Sequence, residues 1–410
     1  MKKALILALC FVCLSSHAYE LRLKAGQSSA VTLQTKKIQK AIDKVSLNGG
    51  GTVTLCGGVF LTAPLELKSG VNLCIEAGAT LLGSADFADY PDRTSTRHFD
   101  TQSLPRWRNI ALIYADEATD IAISGFGTID CNGLSSVKAK EGSKWTGWHF
   151  ERSVPYEKSI PRAVFFAGCS DVKVSDITMV NQPAGWSYWI HDCDRVQFRG
   201  CKILADVRYP NNDGIHINCS RDVTVSDCII ETGDDAIVVR ANSRSLKENK
   251  VCERVTVSNC VLRSWSSAIR IGWTCDGVIR NCTFSNLVMH DCSNGISCYL
   301  PNLEIVENTN DYGRESTLVE NLHFDNIVMG EIYGSPIYVK VGESKRTLFN
   351  AFRNVYFTNI TCHALEKPYF NDRSGAGKDV FFSGCTFEKD IASDYPQDVK
   401  RHGYVARPPR

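Results

Sequence analysis

The chain repeats one short alternation of apolar and polar positions. Cys169-Ser170-Asp171-Val172-Lys173-Val174-Ser175-Asp176-Ile177 is followed by Cys193-Asp194-Arg195-Val196-Gln197-Phe198-Arg199-Gly200-Cys201-Lys202-Ile203. The pattern returns from Cys219 through Val223, Val225 and Cys228, from Cys252 through Val255, Val257 and Cys260, and from Cys275 through Val278 and Cys282. The leading cysteines lie 24, 26, 33 and 23 residues apart, so one interval carries an insertion. Copies without that cysteine extend both ways, at Thr119-Asp120-Ile121-Ala122-Ile123, Asn321-Leu322-His323-Phe324, Asn354-Val355-Tyr356-Phe357 and Asp379-Val380-Phe381-Phe382. Each alternates over a few positions, breaks at Ser-Asp, Asn or Gly, and resumes with β-branched or aromatic residues, as short strands do. Strands at such a period bury their apolar faces against the copies before and after them. The pattern predicts an all-β chain, a right-handed parallel β-helix.

One window departs from this period. Residues 35–46 place Ile38, Ala41, Ile42 and Val45 on one helical face, and Gly49-Gly50-Gly51 ends the helix. A helix there would cap the first coil, whose strand edges would otherwise be open to another chain. Upstream, Lys2-Lys3, an apolar run over residues 4–14 and the exit Ser16-His17-Ala18 predict a secretory signal peptide over residues 1–18. The run is too short for a membrane anchor, so a soluble secreted or periplasmic protein is expected. The repeat continues without a Pro/Ser linker, and residues 19–410 read as one domain. Residues 132–160, rich in Lys, Ser and aromatics, read as an insertion loop.

Charge and cysteine content narrow the classes. There are 46 Lys and Arg against 45 Asp and Glu, and without Lys2 and Lys3 the net charge is −1. That argues against a nucleic-acid partner. Of 18 cysteines, all but Cys10 and Cys13 lie beyond the signal. Export permits disulfides. However, two cysteines recur at matching places in each repeat, and side chains stacked in parallel point alongside one another. Mostly free, buried thiols acting as small hydrophobes are expected. Beyond the signal, no Cys-x-x-Cys pair points to zinc.

The candidate chemistry lies in Asn211-Asn212-Asp213-Gly214 and Gly233-Asp234-Asp235, with Asp213 and Asp234 one coil, 21 residues, apart. Three carboxyl groups would share one patch, and like charges held close raise the proton affinity of at least one of them. A protonated acid beside an ionised one is the equipment for cleaving a glycosidic bond. The bland alternative is turn chemistry, which Asp-Gly and Gly-Asp-Asp commonly supply.

Beyond this patch, Gly49-Gly50-Gly51-Thr52-Val53, Leu65-Glu66-Leu67-Lys68-Ser69-Gly70-Val71-Asn72-Leu73, Glu76-Ala77-Gly78-Ala79-Thr80-Leu81-Leu82-Gly83 and Gly125-Phe126-Gly127-Thr128-Ile129-Asp130 precede Pro210-Asn211-Asn212-Asp213-Gly214-Ile215-His216-Ile217 and Gly233-Asp234-Asp235-Ala236-Ile237. In this order, the chain resembles the family 28 glycoside hydrolases, the polygalacturonase and rhamnogalacturonase group. The resemblance implies a pectin-lyase-like β-helix that inverts a glycosidic bond in a pectic or related uronate-containing polysaccharide. It casts Asp234 as general acid, and Asp213 and Asp235 as the pair that holds and deprotonates water. It implies no cofactor and no metal, and a monomer is expected. The chemistry agrees: an inverting pair needs about 6.5–9.5 Å between acid and base, which neighbouring coils allow.

Two segments depart from the family pattern. Ser266-Ser267-Ala268 stands where Gly-His-Gly is usual, and Asn294-Gly295-Ile296-Ser297-Cys298-Tyr299 replaces an Arg-Ile-Lys segment that grips a substrate carboxylate. Arg270, aimed outward between Ile269 and Ile271, and Arg240 are the expected replacements. With Trp273, Tyr299 and Ser267 they make up the expected substrate-binding set. The departures point beyond plain polygalacturonate, to a pectic side chain or another uronate- or deoxysugar-containing glycan. Trp186, Trp189 and Trp265 lie near repeat turns, and Trp145 and Trp148 in the insertion. Trp273 and one loop tryptophan are expected in the cleft, where flat rings pack against sugar faces. His191 and His216 receive no role. Two other classes stay open. One is a calcium-dependent polysaccharide lyase recasting Asp213, Asp234, Asp235 and Arg270; the other is a non-catalytic glycan-binding solenoid.

Overall fold

The computed structural model describes residues 19–91, 110–141, 148–154, 160–243, 245–246, 248–273, 276–300, 317–342, 350–373, 378–393, 399–403 and 405–406 of the 410. The expected signal peptide lies outside them. Within them the chain is a parallel β-helix. One sheet stacks 11 strands, from Leu65–Glu66 to Ala392–Ser393, and a second group carries 22. All their pairings are parallel.

One coil shows how the sequence makes the shape. Arg221–Ser226 buries Val223 and Val225, the chain turns at Asp227 with φ 58°, and Ile229–Thr232 continues. A loop holding Gly233, Asp234 and Asp235 then leads into Ile237–Arg240. The next coil repeats this with Asn259 at φ 55°, and later coils with Asn286 and Asn326. Asp and Asn are the non-glycine residues that best tolerate this left-handed conformation. The breaks in the sequence pattern are therefore the corners of the coil. The corner amides also bond coil to coil: Asn286 Nδ2 donates to Asn259 Oδ1 at 3.3 Å, and Asn326 Nδ2 to Asn286 Oδ1 at 2.7 Å.

The interior is built of like on like. Phe284, Phe324, Phe357 and Phe382 form a ring stack with centroids 4.7, 5.1 and 4.9 Å apart. Fifteen cysteines among the described residues are free thiols, all but Cys56 and Cys74 buried. The helix runs Thr35–Leu47 and buries Ile38, Ala41, Ile42 and Val45 against the first strands. A strand unforeseen in the sequence, Tyr19–Lys24, pairs in register with Gly51–Cys56 and adds one more rung beneath that cap. No helix among the described residues is long and apolar enough to cross a membrane.

The insertion at residues 132–160 contributes an antiparallel pair, Val137–Ala139 with Phe150–Arg152. The long cysteine interval is explained by residues 241–251, between Ile237–Arg240 and Cys252–Ser258. Substituting Phe324→Ala, in the middle of the ring stack, is expected to lower unfolding stability by about 3–5 kcal/mol, measured as a shift in the urea transition.

Candidate active site

The loop before each strand of the 11-stranded sheet falls at one place on the surface, so register alone sets the neighbours. Gly214 N–H donates to Asp235 O at 3.0 Å, and Ala236 N–H to Ser267 O at 2.9 Å. Asp213, Asp235 and Ser267 therefore follow one another coil by coil, about 4.8 Å apart along the stack. Trp186 precedes them on the same line, through the Ser187 N–H bond to Asp213 O, and Asn294 follows Ser267. The three carboxylates expected together are brought together.

The loops are pinned by side chains. Asn212, fully buried, accepts the Gly233 and Asp234 N–H groups on Oδ1 at 2.7 and 3.1 Å and donates through Nδ2 to Asp206 O at 2.9 Å. A Cβ on Gly233 would lie 2.1 Å from Tyr209 O, and one on Gly214 2.3 Å from Ala236 O, so both loops need glycine. Asp235 Oδ1 accepts from Ser266 Oγ at 2.8 Å and from Ser267 N at 3.0 Å. Asp234 Oδ1 accepts the Asp235 N–H at 3.0 Å, and Asn211 Nδ2 lies 3.4 Å from Asp234 Oδ2. His216 Nδ1 is 3.2 Å from Asp213 Oδ2, and its ring stacks on Trp186 at 3.8 Å. From the insertion, Trp148 Nε1 donates to Gly233 O at 2.6 Å.

Electrostatics follow from this crowding. Burial, then the Asp235 charge, pushes Asp234 up to about 7, against the Ser266 hydroxyl and Arg270. Burial, then Asp234 and Asp235, pushes Asp213 well above the usual carboxylate range, again opposed by Arg270. Burial, followed by Arg240 and Arg162, drives the His216 pKa well down, leaving the imidazole neutral. Among the described residues, no group of three or more His, Cys, Asp or Glu is arranged to hold a metal ion.

The expected substrate-binding set divides. Arg270 points outward between buried Ile269 and Ile271, and its guanidinium lies 4.6 Å from the Trp273 ring centroid. Tyr299 packs on Trp273 at 4.8 Å, and both rings are half-buried. Arg240 does not face the sugar. Its side chain is buried and its Nε bonds both oxygens of buried Asp276, at 3.0 and 2.7 Å, because the partner charge lies directly behind it. Ser267 is also 1% exposed: its hydroxyl donates to Ser297 Oγ at 2.9 Å and its N–H holds Asp235, so it supports a carboxylate instead of meeting sugar. Trp189 is buried against Phe165, with centroids 4.3 Å apart. Trp145 lies outside the described residues. Two residues had been missed. Asn212 lies in the same segment as Asp213, where nothing in the sequence marks its pinning role. Lys340 sits 5.4 Å from the Tyr299 ring, and the alternation Ile337-Tyr338-Val339-Lys340-Val341 marks it as outward-facing.

With fold and site in view, the comparisons are specific. Residues 94–371 match the family described as glycosyl hydrolases family 28. The chain belongs to that family. Among family 28 relatives, it is 26% identical over 292 residues to a Vitis vinifera protein named "Probable polygalacturonase", covering 68% of this chain and 56% of that protein. It is 25% identical over 303 residues to the endo-polygalacturonase of Pectobacterium carotovorum subsp. carotovorum, covering 67% and 72%. The crystal structure of an exopolygalacturonase from Thermotoga maritima shares the fold with a TM-score of 0.71 at 19% identity, over 93% of this chain and 92% of that one. The match spans just over half the length of the grapevine protein.

Replacing Asn212 by Ala would leave two N–H groups and a carbonyl unpaired, at a cost on the order of 3 kcal/mol, read as a lowered urea midpoint. The Asp234 shift carries a sign. Between about 4, where an unfolded aspartate ionises, and about 7, the folded protein holds the extra proton, so stability falls as pH rises through that window. Asp234→Asn, which stays neutral, is expected to become progressively more stable than the parent across it and to keep a constant lead above it, in urea titrations from pH 4 to 8.

Proposed function

We propose that this family 28 chain is an exported glycosidase that hydrolyses a pectic or related uronate-containing polysaccharide with inversion. The carrying observation is buried Asp213 and Asp235 crowded with half-buried Asp234 on two adjacent loops. Asp213 and Asp234 both have raised proton affinity, and such neighbouring groups titrate together. Asp235 accepts hydrogen bonds from the Ser266 hydroxyl and the Ser267 N–H, which fix its carboxylate in the cleft. Neutral His216 sets its Nδ1 3.2 Å from Asp213 Oδ2 and orients that carboxyl group. Asp234 is the most exposed of the three and keeps its proton to near neutral pH.

In the reaction, Asp234 gives its proton to the glycosidic oxygen as the C–O bond breaks. Asp213 and Asp235 hold a water on the opposite face of the sugar and take its proton as the new C–O bond forms. Trp148, bonded to the Gly233 carbonyl, lends one wall to the cleft. The polygalacturonase names of the relatives support a uronate-containing chain as substrate. Lys2-Lys3, the apolar run and the small-residue exit that follows support export through a signal peptide, with action outside the cytoplasm as a monomer.

Asp234→Asn is expected to reduce the release of reducing ends from pectic polysaccharide about 10²–10⁴-fold. Activity of the parent should fall above about pH 7 as Asp234 loses its proton. The products should carry no ultraviolet-absorbing double bond. Full activity in Asp234→Asn, or unsaturated products, would overturn the assignment.

A further inference from the structure

Two peptide planes meet at the Asp234 Cα, and each is held at both edges. The first joins Gly233 to Asp234. Its N–H donates to Asn212 Oδ1 at 3.1 Å, and its carbonyl accepts the Trp148 indole N–H at 2.6 Å. The second joins Asp234 to Asp235. Its carbonyl accepts the Thr232 and Ser264 hydroxyls at 2.5 and 2.6 Å, and its N–H turns back to Asp234 Oδ1 at 3.0 Å. Each peptide unit is rigid, so two fixed planes fix φ and ψ of the residue between them. They also fix the direction in which the Asp234 side chain leaves the backbone. Asn212, Thr232 and Ser264 belong to the coils. Trp148 alone comes from the insertion.

The insertion reaches this carbonyl along a set course. Beside its antiparallel pair, the His149 carbonyl accepts the Lys140 N–H at 2.9 Å and the His149 N–H donates to Arg208 O at 3.0 Å. Phe150 meets Tyr209 edge-on at 4.8 Å, and the His149 ring meets Trp265 at 5.4 Å. Arg208, Gly233 and Trp265 precede strands of three consecutive coils, so residues 148–150 span those coils with Gly233 in the middle. A buried indole N–H ordinarily finds some carbonyl; this one closes on the peptide whose tilt aims the acid. We propose that Trp148 is a positioning residue for the general acid: its N–H sets the tilt of the Gly233–Asp234 peptide and so the place of the Asp234 carboxyl. The inference rests on Asp234 as the general acid. Without that N–H the peptide is free to rotate, and the carboxyl moves relative to the glycosidic oxygen. It moves also relative to the charges that face it, Asp213 on the coil before, Asp235 on its own loop and Arg270 on the coil after.

The test compares the full chain with Trp148→Phe, which keeps a ring in the wall and removes the N–H, on pectic polysaccharide. The kcat for reducing-end release is expected to fall about tenfold, with KM within about twofold of the parent. The alkaline limb of kcat is expected at lower pH, because a displaced Asp234 feels less of the Asp235 charge. In the Asp234→Asn chain the same change should cost nothing further, since it acts only through that carboxyl. Should Trp148→Phe fail to fold, Trp148→benzothienylalanine keeps the indole shape with sulfur in place of the N–H and is read the same way. The proposal falls if kcat or its alkaline limb matches the parent's, if the loss lies in KM instead, or if Asp234→Asn loses the same tenfold again. Full activity in Asp234→Asn would sink the acid assignment and this inference together. A crippled Asp234→Asn beside a Trp148→Phe that works like the parent would sink this inference alone.

Discussion

Everything in this molecule depends on one spacing, the hydrogen-bonded distance of about 4.8 Å between parallel strands. Because each coil repeats the one before it, that distance stacks each residue on its counterpart. In the interior it gives the Phe284–Phe382 ring stack and columns of thiols. At the corners it gives ladders of Asn side-chain amides. At the loops before the 11-stranded sheet it gives Asp213 over Asp235. The first two are favourable contacts of like with like. The third is a repulsion, held in place by a ladder whose stability comes from elsewhere. A loop on a less regular scaffold would relax apart and let each carboxylate ionise at its ordinary pH.

The repulsion is useful only if it is shared unequally, and the unequal part is local. Ser266 and Ser267 supply donors to Asp235, the His216 ring nitrogen meets Asp213, and Asn212 grips the backbone of Asp234 instead of its carboxylate. Ser266 and Ser267 occupy the coil where a histidine is usual in the family. A hydroxyl and an amide there bond Asp235 without adding a positive charge, so the Asp235 charge felt by Asp234 is opposed chiefly by the Ser266 hydroxyl and Arg270.

The coil architecture was readable in the sequence because period and alternation are one-dimensional properties that a solenoid keeps. The corners announced themselves as Ser-Asp and Asn, since few other residues accept a left-handed φ. The strand Tyr19–Lys24 was hidden because a single rung beside a helix has no repeat to betray it. Contacts between coils were the harder part. Arg240 finds Asp276 36 residues away, across an insertion that hides the register. Ser267 looked available because its position is that of a family side chain that meets the site, whereas here the hydroxyl turns to Ser297. Lys340 escaped notice because two coils of sequence separate it from Arg270, while folding brings it beside the Tyr299 ring.

The catalytic and recognition surfaces differ in how they can change. Carboxylates sit on loops fixed by buried glycines and Asn212, where a Cβ or a lost amide disturbs two coils at once. Outward positions on the strands carry no such burden, because the strand is held by its backbone and by the residues facing inward. An outward arginine or lysine is thus free to move one rung along the stack without disturbing the fold, and each rung moves it by about the same 4.8 Å. A solenoid of this kind holds its chemistry still and shifts its recognition in fixed steps. Arg270, in register with Ser297 one coil before it, stands one such step away.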